Sequence, residues 1–257
     1  MKVISTSKYY LETLWLLAKS FHNWKTLFIK LLLKKPINNL SLKNNFRFVS
    51  SLSNNLFEIV KEVWFENKYL PKNVFLDRNG VIVDIGANVG VFSVFASTLT
   101  RGKIVAVEPF SNNCKYLRKN LKNNSVTNVI IEQAAIAKKT GKRAFYFQNC
   151  DAGHGFYFAK ESKSSQLVNT ISFAGLIKKH SIKKIEMLKV DCEGAEGELF
   201  SSLPKNILNI INNISLEFHD NCSTLSHQQL ISILQKAGFK TRVDWDRKSP
   251  FGYIYAN

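Results

Sequence analysis

Residues 81–91 read VIVDIGANVGV, and residues 105–109 read VAVEP; together these two stretches decide the fold. The first is an apolar run that breaks into a glycine-bearing turn. The second is another apolar run, ending at Glu108, twenty-four residues past Asp84. The pattern describes a buried strand, a tight turn opening a helix, a second strand, and an acid at its tip. Gly86 can adopt a positive φ without a Cβ penalty, and its missing side chain lets a ligand approach the backbone. A carboxylate at the next strand end accepts hydrogen bonds from vicinal hydroxyls such as those of a ribose.

The turn also says which nucleoside. A dinucleotide fold calls for G-x-G-x-x-G, with a pyrophosphate over the helix N-terminus. Here the order is Gly86-Ala87-Asn88-Val89-Gly90, with Asp84 two residues ahead of the first glycine. A carboxylate suits a cationic ligand better than a pyrophosphate, and S-adenosylmethionine carries both a sulfonium and an ammonium. The segment therefore reads as a seat for that cofactor.

Outward from this unit the chain keeps alternating. A helix is expected over 89–99, a strand over 103–107, a helix over 111–123 and a strand over 128–132. Strands at 186–190, 213–218 and 239–244, with a closing FGYIYA, complete an α/β fold with a mostly parallel sheet. Residues 143–148 and 167–172 read as further strands around a polar stretch, 149–166, which reads as a substrate loop or lid. LSLKNNFRFVS (40–50) alternates like a short hairpin, and NLFEIVKEVWFENKYL reads as a helix. The expected division is an N-terminal helical extension, 1–69, and a catalytic domain, 70–257.

Composition narrows the class. The chain has 257 residues, 45% of them hydrophobic, enough for a full core. Its four cysteines are scattered, with no C-x-x-C pair, which argues against structural zinc and against a disulfide framework. A net charge of +17 invites a nucleic-acid or membrane partner. Lysine outnumbers arginine, however, and base reading favours arginine, so nucleic acid is not the expected partner. Residues 9–35 set Trp, Phe and Leu at helical spacing among lysines. They are expected to pack on the domain or to make peripheral contact with an anionic membrane. No run there approaches the uncharged length of a membrane span. The expected location is cytoplasmic, at most peripheral to the inner membrane face.

In an open α/β sheet, ligands sit beyond the carboxyl ends of the strands. Acids concentrate there: Asp84, Glu108, the pair Asp191 and Glu193, and Glu217, with His219 two residues on. Gln133 and Ala134 lie at a fifth strand end, where a side-chain amide and a backbone N–H could read adenine. Glu196 reads as a helix cap. His219, leaving the same face as Glu217, is the expected general base, with His154 in the polar loop as its competitor.

These segments resemble the FkbM family of S-adenosylmethionine-dependent methyltransferases. The carrying residues are VIVDIGANVGVFS (81–93), VAVEP (105–109), LKVDCEGAE (188–196) and LEFH (216–219), with weaker agreement at Glu62, Tyr69 and LQKAGF (234–239). The resemblance implies a Rossmann-like seven-stranded sheet of the class I methyltransferase type with a final antiparallel strand. It implies O-methylation of saccharides, glycans or glycolipids, and sometimes of polyketides. In its terms, Asp84 and the turn Gly86, Ala87, Asn88 and Gly90 hold the methionine part of the cofactor. Glu108 binds the ribose, with Pro109 and Phe110 toward the adenine. Asp191 and Glu193 face the methyl group and the acceptor. Asp191, Glu217 and His219 could serve either base catalysis or a divalent metal such as Mg²⁺; the expectation is base catalysis with no required metal. Two readings stand against it: a nucleic-acid methyltransferase, suggested by charge alone, and a membrane-bound scaffold with a relict cofactor fold.

Overall fold

The computed structural model describes residues 6–51, 55–71, 74–147, 154–155 and 164–257. Helices α1 (Thr6–Ser20) and α2 (Trp24–Leu32) open it, followed by a hairpin of β1 (Asn39–Ser41) and β2 (Arg47–Val49). Next comes α3 (Leu56–Val60), which runs on into a π-helical turn over Lys61–Phe65. The alternating unit follows: β3 (Ile82–Ile85), α4 (Val91–Leu99), β4 (Ile104–Val107), α5 (Ser111–Asn123) and β5 (Val129–Glu132). A side sheet then forms from β6 (Ala135–Ile136), β7 (Gly141–Phe147), β8 (His154–Gly155) and β9 (Ser164–Ile171). The chain returns through α6 (Phe173–Lys179), β10 (Ile185–Val190), α7 (Glu196–Ser202) and α8 (Lys205–Leu208). It ends with β11 (Ile211–His219), α9 (His227–Lys236), β12 (Thr241–Asp244) and β13 (Phe251–Ala256).

Seven strands make the main sheet, in the order β12-β13-β11-β10-β3-β4-β5. Within it β13 runs against the direction of the other six strands. The strand order turns back between β3 and β10, which opens a crevice at their carboxyl ends. Strands β3, β4 and β10 are buried along their whole length, as strands covered on both faces must be. Alternate side chains serve opposite layers: Val83, Ile85, Val105 and Val107 join one core, Ile82, Ile104 and Ala106 the other.

The second core also holds the N-terminal segment. Leu17, Phe21 and Leu27 are buried in it with Phe92 of α4 and Leu117 of α5. Phe21 meets the rings of Phe57 and Phe65. The expected extension therefore packs on the domain, and it is not wholly helical. The hairpin read from 40–50 forms, with Leu40 opposite Phe48. The expected strands at 143–148 and 167–172 are longer and belong to the separate side sheet. Most of the expected lid, 149–166, lies outside the described residues. His154 pairs by its backbone with Phe147, and its side chain is likewise outside them.

Candidate active site

The glycine turn is built by positive φ. Gly86 stands at +75°, Asn88 at +49° and Gly90 at +84°. At Gly86 a Cβ would come within 1.7 Å of the Asp191 carbonyl oxygen, so the turn lies directly against the segment leaving β10. Both Gly86 and Ala87 donate backbone hydrogen bonds to Val107, which pins the turn to β4.

Asp84 does not reach into the crevice. It is 0% exposed; Ser93 of α4 donates to it at 2.6 Å, and Lys189 lies 3.1 Å away. Lys189 is its register partner on β10. The ammonium also donates to the Gly86 carbonyl at 2.8 Å and lies 3.7 Å from Asp191. Burial works against its charge, but Asp84 and then Asp191 outweigh that and raise its pKa. Asp84, expected to hold the methionine part, is thus paired inside the protein, and Lys189 links it to the turn.

Glu108 faces the turn from the tip of β4. Its Oε2 accepts from the Asn88 N–H at 2.9 Å and its Oε1 from the Phe110 N–H at 2.9 Å. Burial raises it to about 7, against the lowering pull of those two N–H groups. Pro109 and Gln133 line a neighbouring cavity of about 120 Å³ with Ser111, Lys142, Gln166 and Asn169. The side sheet thus walls this end of the crevice, a contribution that the strand pattern did not reveal. Gln133 is exposed, whereas the Ala134 N–H already donates to the Glu132 carbonyl at 2.9 Å. Of the two groups expected to meet adenine, the Ala134 N–H is thus engaged inside the protein and the Gln133 side chain is exposed.

The remaining acids meet at the ends of β10 and β11. Tyr69 Oη lies 2.9 Å from Asp191 Oδ2 and 2.7 Å from Glu217 Oε2. A phenol has one hydrogen and cannot donate to both. The single phenol hydrogen therefore serves one of the two carboxyl groups at a time, and Tyr69 bridges the ends of β10 and β11. Burial, then the charge of Asp191, pushes Glu217 up to about 8. Glu62, from the π-helical turn, is raised to about 7 by burial and by the same Asp191.

His219 is held through Nδ1, 3.1 Å from Oε1 of fully buried Glu196, while Nε2 faces Glu193 at 3.6 Å and Glu217 at 3.9 Å. Burial pulls its pKa down, but the hydrogen bond and charge of Glu196, then Glu193 and Asp191, lift it to about 10. It carries a proton at neutral pH, so the expectation of a base poised near neutrality is corrected. Glu196, read as a helix cap, also accepts from the N–H groups of Cys192 and Gly194 and so orients His219 as well. Glu193 has φ +52° and a pKa raised by burial to about 7. Ligand atoms of Asp191, Glu193 and His219 lie within 4.8 Å of one another, a spread that one cation could span if it displaced the His219 proton.

A glycine turn opening α4, an acid at the tip of β4 facing that turn and an acid cluster on β10 and β11 define a class of nucleoside-cofactor enzymes built on a doubly wound sheet. A family model, the Methyltransferase FkbM domain, matches residues 84–241. Methyltransferase 1 of Beauveria bassiana (strain ARSEF 2860) is 23% identical over 216 residues, covering 70% of this chain and 85% of its own length. Methyltransferase sdnD of Sordaria araneosa is 24% identical over 222 residues, covering 73% and 84%. A crystal structure of methyltransferase FkbM from Methylobacillus flagellatus KT superposes with a TM-score of 0.55 at 12% identity, covering 97% of this chain and 59% of that one. The chain belongs to the FkbM methyltransferase family and is an S-adenosylmethionine-dependent methyltransferase.

Proposed function

We propose that the protein transfers the methyl group of S-adenosylmethionine to a hydroxyl of a saccharide, glycan or glycolipid. The observation that carries this reading is the knot of carboxyl groups from Asp191, Glu193 and Glu217 with His219, beside the glycine turn. Neighbouring sugar hydroxyls need several acceptors at close quarters, and this cluster supplies them. Gly86–Gly90 would hold the methionine part of the cofactor, Glu108 its ribose, and Phe110 and Gln133 its adenine.

Methyl transfer is an in-line displacement: the oxygen–carbon bond forms as the carbon–sulfur bond breaks, and S-adenosylhomocysteine leaves as a neutral thioether. Alignment supplies much of the rate. The hydroxyl proton passes to Asp191. Tyr69 and Lys189 both engage its Oδ2, which leaves Oδ1 for the acceptor. His219 is a positioning residue that holds Glu193.

The test is transfer of radiolabelled methyl groups to separated glycan, lipid, small-molecule and RNA fractions. Label in glycan or glycolipid is the expected result; label confined to polyketide-like small molecules or to RNA would sink the reading. Asp191→Asn is expected to lower kcat by about 10²–10⁴ while cofactor binding persists, and Tyr69→Phe by a smaller factor. A second reading, metal assistance, is favoured by the spacing of Asp191, Glu193 and His219. Loss of turnover in chelator, restored by Mg²⁺ or Mn²⁺, selects it; full turnover in chelator excludes it.

A further inference from the structure

We propose that the outer faces of α1 and α2 form a docking surface for an anionic lipid bilayer. The inference stands apart from the acceptor reading above. Each helix is divided between two environments. Leu17, Phe21 and Leu27 point into the second core. On the opposite side Trp15 is 64% exposed, Ile29 55%, Leu32 48% and Leu33 59%. Leu32 and Leu33 follow Ile29 at three and four residues, so α2 and its C-terminal end carry one continuous apolar stripe.

The charge around this stripe has one sign. Between residues 12 and 36 stand Lys19, Lys25, Lys30, Lys34 and Lys35 against the single acid Glu12. Lys19 Nζ lies 4.6 Å over the Trp15 ring, and Lys25 Nζ 5.6 Å over the Trp24 ring. Aromatic and aliphatic groups ringed by lysine are the chemistry of a headgroup boundary, where apolar burial and attraction to anionic lipid act together. A second copy of the chain would bring the same lysines face to face, and a nucleic acid gives the leucines nothing to bury against. Among the described residues no helix is long and apolar enough to cross a membrane, so these helices would lie on it.

The surface is also held in a fixed relation to the cofactor turn. The His22 N–H donates to Ser41 and the Lys43 N–H to Ser20, both at 2.8 Å, which joins the end of α1 to the hairpin. Asn120 of α5 then donates to the carbonyls of Val49 in the hairpin and Val89 in the turn.

The experiment is co-sedimentation of the full chain with vesicles of phosphatidylcholine, and of phosphatidylcholine mixed with phosphatidylglycerol. The partner variant is Trp15→Ser/Ile29→Ser/Leu33→Ser, with its melting curve and S-adenosylmethionine affinity measured alongside to establish that it folds. Expected is binding to the anionic vesicles alone, reduced when salt rises from about 0.1 M to about 0.5 M. The triple variant should partition about tenfold more weakly. No binding to anionic vesicles, or undiminished binding by the folded variant, overturns the proposal. So does concentration-dependent self-association that the variant abolishes, since the face would then belong to a second copy. Lys34→Gln/Lys35→Gln gives a separate measure: unchanged binding to anionic vesicles would also overturn it.

Discussion

At Glu108, burial pushes the carboxyl toward its neutral form while the Asn88 and Phe110 N–H groups pull toward the charged one, and burial wins. The consequence is a pH-dependent cofactor site. Ribose hydroxyls donate to the ionised form, so affinity is complete above about 7 and falls as pH drops through that value. The loss grows by at most about tenfold per pH unit and levels off at the weaker affinity of the neutral carboxyl. Calorimetric titration with S-adenosylmethionine across this range checks the expectation. Glu108→Gln should bind more weakly and flatten the dependence; an unchanged slope in the variant would assign it to other groups. Lys189 gives a second prediction at this scale. Lys189→Met strands Asp84 as a buried charge and should cost about 3–5 kcal/mol in a denaturant melt. Adding Asp84→Asn should recover a large part of that loss. The acid was legible in the sequence, but its partner was not, because cross-strand register alone sets Lys189 opposite Asp84.

Among the elements, α5 joins the N-terminal hairpin to the cofactor turn through one buried side chain. Asn120 accepts from the Val49 N–H at 2.8 Å and donates to Val49 at 2.9 Å and to Val89 at 2.8 Å. Asn120→Ala leaves those groups without partners, and a loss of about 3 kcal/mol is expected by chemical denaturation. S-adenosylmethionine should also bind more weakly, because Val89 lies within the turn. A variant as stable as the parent would remove Asn120 as a brace. Elements of strong period were readable in advance: the strand at 81–85 and the helix over 111–123 follow from local pattern. The side sheet was not, since which edge β7 and β9 join depends on partners far along the chain.

Over the whole molecule, the second core runs from Leu17 through the sheet to Tyr255. The boundary expected at residues 69–70 crosses this core, and Tyr69 itself reaches the acid cluster. The N-terminal segment should therefore unfold with the rest. Phe21→Ala is expected to destabilise by about 3–5 kcal/mol and to lower the single melting transition seen by calorimetry. A separate low-temperature transition, with the main one unmoved, would show that the segment is an independent unit.

By itself the sequence determined the alternating α/β order, the glycine turn, the acid after β4 and the gathering of acids at strand ends. Each of these is written in a local signal: period, a residue type that permits positive φ, or a polar group closing an apolar run. The tertiary structure decided which of those groups are spent inside the protein and which face the crevice. It took Asp84 for Lys189 and the Ala134 N–H for Glu132, gave His219 a proton through Glu196, and brought Tyr69 to Asp191 across 122 residues of chain. A side chain's charge state and partners depend on burial and on neighbours remote in sequence, and both exist only once the layers have packed.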